Sequence, residues 1–169
     1  ITTIAGNGTA GFTGDNGAAT AASLNLPTGV ALDNAGAVLI ADTFNQRIRR
    51  VGPDGRISTV AGNGLAAFSG DGGIATFGSI NLATGVSVDA AGNLYIADQY
   101  NHRVRRVSPG GVMTTFAGTG TRGLAGDGGP ATDAFLNFPL GVSVDGAGNV
   151  LIADSLNDVV RRVAANGTI

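Results

Sequence analysis

Two stretches carry the spacing of a phosphate-binding turn. Gly6-Asn7-Gly8-Thr9-Ala10-Gly11 and Gly118-Thr119-Gly120-Thr121-Arg122-Gly123 both fit G-x-G-x-x-G. A dinucleotide site needs a helix N-terminus directly afterwards, because its amides and dipole hold the pyrophosphate. Here Phe12-Thr13-Gly14-Asp15-Asn16-Gly17 and Leu124-Ala125-Gly126-Asp127-Gly128-Gly129 follow, and neither can open such a helix. A third equivalent stretch has Ala67 at the last glycine position. These are turn glycines. The next carboxylates, Asp15, Asp71 and Asp127, sit in Gly-Asp turns that could offer oxygen to Ca²⁺. One carboxylate per turn is too few ligands, and each Asp is expected to cap its own turn.

The arginines are the other chemical concentration: Arg47, Arg49 and Arg50, then Arg103, Arg105 and Arg106, then Arg161 and Arg162 after Val159 and Val160. Guanidinium forks suit phosphate. On a strand, however, alternation puts Arg47 and Arg49 on one face and Arg50 on the other. Asp42 and Asp98 close the preceding strand of the same hairpin, so structural pairs Asp42–Arg47 and Asp98–Arg103 are expected. Opposite Asp154 stands Val159, so this pair is expected to be dispensable there. His102 is the only histidine. It could act as a general base, but the chain has no Glu, no Cys and no repeated serine to partner it. Asn25, Asn81 and Asn137 recur and could ring a channel, though asparagine before a strand reads first as a turn former.

The elements that must position these residues come in copies 56 residues apart. Asp42, Asp98 and Asp154 are in register, as are Asp33, Asp89 and Asp145. Periodicity on this scale signals a solenoid, propeller or array. The boundaries are 1–56, 57–112 and 113–168. In the first copy, Gly29 to Asp33, Ala37 to Asp42, Gln46 to Val51 and Arg56 to Gly62 read as short strands rich in Val, Ile and Thr, split by Gly, Asn and Asp turns. The intervening link holds one helical turn near Ala75 to Ser79. Four antiparallel strands followed by a link make a propeller blade; a parallel solenoid is the alternative.

Composition agrees. Of 169 residues, 43% are hydrophobic and 29 are glycine. The charges are all Arg and Asp, ten against twelve, with no Lys or Glu, which favours turns and strands over helices. A net charge of -2 gives no basic field for nucleic acid. No apolar run approaches the ~20 residues of a membrane-spanning helix. Without cysteine there is no disulfide, thiolate metal site or cysteine nucleophile. No cofactor is expected.

The stretch from Leu26 to Gly64 resembles the NHL repeat, with the signature segments Gly85 to Asp89, Gly92 to Asp98 and Asn101 to Val107 in the second copy and the link Gly126 to Thr132 in the third. The resemblance implies an all-β propeller, usually of six blades, in which the Gly29–Asp33 segment is innermost and the Ile57–Gly62 segment outermost. The chain then opens on an outermost strand, Ile1 to Gly6, and its last strand, Val159 to Val163, lacks one. Three blades are too few for a ring. A head-to-tail homodimer of two half-rings, each Ile1–Gly6 completing the other's last blade, is expected; a fragment that closes otherwise is the alternative. In NHL proteins the arginine after the second turn is similarly structural. Some relatives bind RNA through a basic face, which the absence of Lys disfavours here. Others are metal-dependent lactonases or lyases, whose channels need several converging ligands. The resemblance also implies a bacterial, extracytoplasmic setting.

The copies differ most in the loop between their second and third strands: Thr43, Gln99 and Ser155; Phe44, Tyr100 and Leu156; Gln46, His102 and Asp158. Packing holds scaffold positions while loops are free to carry function. Phe44, Gln46, Tyr100, His102, Leu156 and Asp158 are therefore the candidate binding face for a protein or small ligand. The expected function is a non-catalytic, self-assembling scaffold or binding module. The alternatives are a ligand-binding sensor domain and a metal-dependent hydrolase or lyase.

Overall fold

The computed structural model covers residues 1–169. The first sheet runs β1 (Pro27–Leu32), β2 (Val38–Asp42), β3 (Arg47–Val51) and β4 (Ile57–Ala61), in that order. The second orders β5 (Gly73–Ile74), β9 (Val112–Ala117), β8 (Arg103–Val107), β7 (Leu94–Asp98) and β6 (Ala83–Val88). The third has β10 (Pro139–Val144), β11 (Val150–Asp154) and β12 (Val159–Val163). Every pairing between these strands is antiparallel. The protein is an all-β, propeller-type molecule.

The turns follow from their residues. In the β1–β2 turn, Asp33 Oδ1 accepts from the amides of Ala35 and Ala37 at 2.9 Å each, and Gly36 takes the left-handed conformation (φ 78°) that closes it. The β2–β3 connection is a 3-10 turn, Thr43–Asn45, closed by left-handed Gln46. Gln99–Asn101 with His102, and Ser155–Asn157 with Asp158, repeat it. The helical turn anticipated in the link forms at Ala19–Ala21 and Ala131–Asp133. In the middle copy the same place holds hydrogen-bonded turns from Phe77 N to Ile74 O and Gly78 N to Ala75 O, after the short edge strand β5.

Hydrophobic residues on the sheet faces make the core between blades. Leu39, Ala41, Ile48 and Ala61 of the first sheet pack on Ile80, Val86, Leu94, Ile96 and Met113. Tyr95, Val104 and Ala117 of the second pack on Leu136, Val150, Ile152 and Val163. The innermost strands approach so closely that a Cβ on Gly29 would lie 2.3 Å from Thr84 O, and one on Gly85 2.8 Å from Leu140 O. Glycine is required at both places because the next blade's backbone fills the space.

Two faces remain uncovered. Val160 is 73% exposed, although its equivalents Ile48 and Val104 are fully buried. Val30 is 71% exposed, against 7% for Val86. The expected outermost strand Ile1–Gly6 makes no sheet pairing within the chain, and Ile1 and Ile4 are exposed. β12 has no neighbour on its outer edge.

Candidate functional site

Each loop between second and third strands hangs on one buried carboxylate. Asp42, Asp98 and Asp154 are fully buried. Their Oδ1 atoms accept the amides of Asn25, Asn81 and Asn137 at 2.7, 2.7 and 2.6 Å. Their Oδ2 atoms accept the side-chain amides of Asn45, Asn101 and Asn157 at 2.8, 2.9 and 2.7 Å. The first set fixes the start of the innermost strand and the second fixes the 3-10 turn. The recurrent Asn25, Asn81 and Asn137 are thus anchored through their backbone.

The arginine partner differs from the one expected. Asp42 faces Arg47 across the hairpin, and Asp98 faces Arg103. The ion pairs nevertheless go to Arg49 and Arg105, each at 3.3 Å, and Asp154 pairs with Arg161 at 3.6 Å. All three carboxylates are paired, so the exchange of arginine for Val159 removes nothing from this network. The same guanidiniums reach out of the sheet to the link: Arg49 to Asp15 at 2.7 Å, Arg105 to Asp71 at 2.6 Å, and Arg161 to Asp127. Asp15 and Asp71 therefore do not cap their own turns. Their second oxygens accept from Thr59 and Thr115 of the outer strands at 2.7 and 2.6 Å. One buried arginine per blade ties the loop, the sheet and the link together.

Arg47 and Arg103 do something else. Arg47 lies 3.8 Å over the Phe12 ring and donates to Asn45 O and Asn63 O at 2.9 Å each. Arg103 lies 3.8 Å over Phe68 and donates to Asn101 O and Thr119 O. They clamp the chain where it leaves the outer strand. In the third copy both members of the stack change together, to Val159 and Leu124.

The six variable-loop residues separate into two groups. Phe44, Tyr100 and Leu156 are exposed. Tyr100 meets the Phe138 ring edge-on at 4.9 Å, and a groove of ≈ 340 Å³ lined by Gln99, Tyr100, Phe138, Leu140, Ser155 and Leu156 opens beside them. Gln46 and His102 are instead buried between blades. Gln46 Oε1 accepts the Leu82 amide at 2.7 Å, and His102 Nδ1 accepts the Phe138 amide at 3.1 Å. Neither is available to a ligand. Asp158, their equivalent, is exposed. Nothing in the sequence of one loop marked these joints, because the acceptor and the donor belong to different blades.

Burial, and then the charges of Arg122 and Arg103, push the His102 imidazole below its ordinary range. Both ring nitrogens face donors, the Phe138 amide 3.1 Å from Nδ1 and the Arg122 Nε–H 3.0 Å from Nε2, and a neutral ring can accept at only one of them. A second proton would end the bond to Phe138. The imidazole is a spacer between blades, set against Phe138 on one side and Arg122 on the other. No three His or Asp side chains converge in an arrangement that could hold a metal.

The NHL repeat family model matches residues 24–57 and 81–107. NHL repeat-containing protein 2 of Bos taurus is 31% identical over 147 residues, which cover 80% of this chain and 20% of that protein. Teneurin-m of Drosophila melanogaster is 33% identical over 105 residues, 55% of this chain and 4% of the relative. The chain thus spans about a fifth or less of these relatives. Among solved structures, a Bacteroides thetaiotaomicron protein of unknown function superposes with a TM-score of 0.72 at 22% identity, over 84% of this chain and 36% of the other. That likeness shows the fold.

Proposed function

We propose that this NHL-repeat chain is a non-catalytic half-propeller that pairs head to tail with a second copy, giving a six-bladed ring that serves as a binding scaffold. The observation that carries the reading is the complementarity of its two open faces. Val160, Leu151 and Ala153 occupy the positions that Ile48, Leu39 and Ala41 use to cover the next blade. Val30 and Val38 occupy those with which Val86 and Leu94 receive that cover, beside Ile40, which is already buried within the chain. Joining face to face would bury at each end what the internal joints bury, and leaving apolar sheet faces open favours association. In the ring, the Ile1–Gly6 segment of each chain adds, from Thr2 onward, to the free edge of β12 in the other, as β4 and β9 add to β3 and β8, with Ile169 of the receiving chain already in the place of Ile57 and Met113. Two identical joints related by a two-fold axis close the assembly.

Solution mass over a dilution series tests this. Twice the 16.6 kDa chain mass is the expected result. A monomer at all concentrations would overturn it.

The exposed Phe44, Tyr100 and Leu156, with the groove beside Tyr100, favour a second layer of function: capture of an apolar or aromatic group on the loop face of the ring. No residue is assigned a catalytic role, since the only imidazole is committed to the Phe138 amide.

A further inference from the structure

Both internal joints use the same device. The residue that ends the loop between second and third strands is left-handed, with φ of 53° at Gln46 and 52° at His102. Its side chain accepts the amide of a residue 36 positions later in the next blade, Leu82 or Phe138. These donors are left-handed too, at 50° and 53°. At the ends of the chain the two halves of the device are present and separate. Asp158 has φ 58°, and its carboxylate has no hydrogen bond or ion pair within the chain. Leu26 has φ 49°, and its amide has no acceptor within the chain.

We infer that Asp158 is the acceptor half of the joint between two copies, its carboxylate taking the amide of the partner's Leu26. This rests on the closed ring proposed above and names the polar contact that sets its register. The reach fits. An Asp Oδ is as many bonds from its Cα as the Nδ1 of His102, which makes the bond in the second joint. The chemistry also fits, since an exposed left-handed amide needs an acceptor when a blade covers it. Of the three acceptors only Asp158 is anionic, so this bond is charge-assisted where the internal ones are neutral. The joint between chains differs in a second way. Thr28 and Thr84 each donate a hydroxyl to the innermost strand of the next blade, to Thr84 O and Leu140 O, and Leu140 at the equivalent place has no hydroxyl. The carboxylate is left as the side-chain acceptor that registers the joint.

The test compares three proteins by sedimentation over a dilution series. The unchanged chain is expected to dimerise. Asp158→Gly keeps the left-handed backbone and removes the acceptor; it is expected to stay folded and to dimerise about tenfold more weakly per joint. Asp158→Gln, which carries the acceptor already used at Gln46, is expected to dimerise within about threefold of the unchanged chain. A dimer of Asp158→Gly as tight as the unchanged one overturns the assignment of Asp158 and leaves the ring standing. Loss of dimer in Asp158→Gln equal to that in Asp158→Gly also overturns it. A monomeric unchanged chain overturns the ring itself, and this contact with it.

Discussion

Asp98 is bound to Arg105, 3.3 Å away and buried beside it, and not to Arg103, which stands directly across the hairpin. The two arginines are two residues apart on one strand face, yet they do different work. Arg105 neutralises a carboxylate that holds two loop elements and then reaches Asp71 in the link. Arg103 lies on the Phe68 ring and clamps Thr119 O.

Stability should therefore separate them. Arg105→Met leaves the Asp98 charge buried without its cation and is expected to cost about 3–5 kcal/mol. Arg103→Met loses a cation–π stack and two part-buried hydrogen bonds, about 1–2 kcal/mol. Denaturant midpoints at unchanged slope measure both. Equal losses would mean that the two side chains share the role assigned to Arg105.

The joint between the second and third blades should be acid-sensitive. Burial and the neighbouring Arg122 and Arg103 hold the His102 pKa below its ordinary value of 6.5. The unfolded chain then takes up the proton first as pH falls. Stability is full above about 6.5, declines below it, and has lost this contribution once the pH passes the lower folded value. Unfolding midpoints between pH 8 and pH 5 should drop in the unchanged chain, and His102→Gln should flatten that part of the profile. A profile unchanged by the substitution would remove His102 as its source.

The blades were legible in the sequence because their signals are local. Alternating Val and Ile in runs such as Val38–Asp42, and the Asp33–Gly36 turn, are complete within a few residues. The site was only partly legible. The pairing of Asp42 with Arg49 is hidden in the sequence because strand register names Arg47 as the neighbour, while side-chain direction and burial decide. One signal was available: Arg49, Arg105 and Arg161 persist in all three copies, whereas Arg47 and Arg103 give way to Val159. Gln46 and His102 read from the sequence as open-face residues because variation among copies looks the same in a joint as on a surface. Both are acceptors for an amide 36 residues away, a relation invisible until blades are stacked.

The paired change to Val159 and Leu124 predicts a way to tighten the proposed ring. In the first two copies the clamp joins the third strand to the second residue after the outer strand, Asn63 or Thr119. At the joint between chains that acceptor would be the partner's Asn7. The double substitution V159R and L124F restores both members of the stack and is expected to strengthen dimerisation by about tenfold, while V159R alone gains less. Sedimentation of the three proteins reads the difference. An unchanged dissociation constant in the double variant would mean that the partner's strand does not take the place that β4 and β9 take in their own sheets.

A single methyl group can separate folding from closure. Gly29, Gly85 and Gly141 are equivalent, and a Cβ at the first two would collide with the next blade's backbone, at 2.3 Å from Thr84 O and 2.8 Å from Leu140 O. At Gly141 the nearest atom beyond its chain neighbours is Ala153 Cβ at 3.5 Å, an ordinary contact. Gly85→Ala should therefore destabilise the chain itself by about 1–3 kcal/mol, the usual cost of overpacking. Gly141→Ala should leave the isolated chain as stable as before. In the closed ring, however, its methyl would meet the partner's Thr28 carbonyl as Gly29 meets Thr84. The expected result is a folded protein with an unchanged β-sheet spectrum that sediments as a monomer where the unchanged chain is a dimer. If Gly141→Ala still dimerises, the innermost strands of two chains do not stack as those within one chain do, and the second copy covers Val160 by some other geometry.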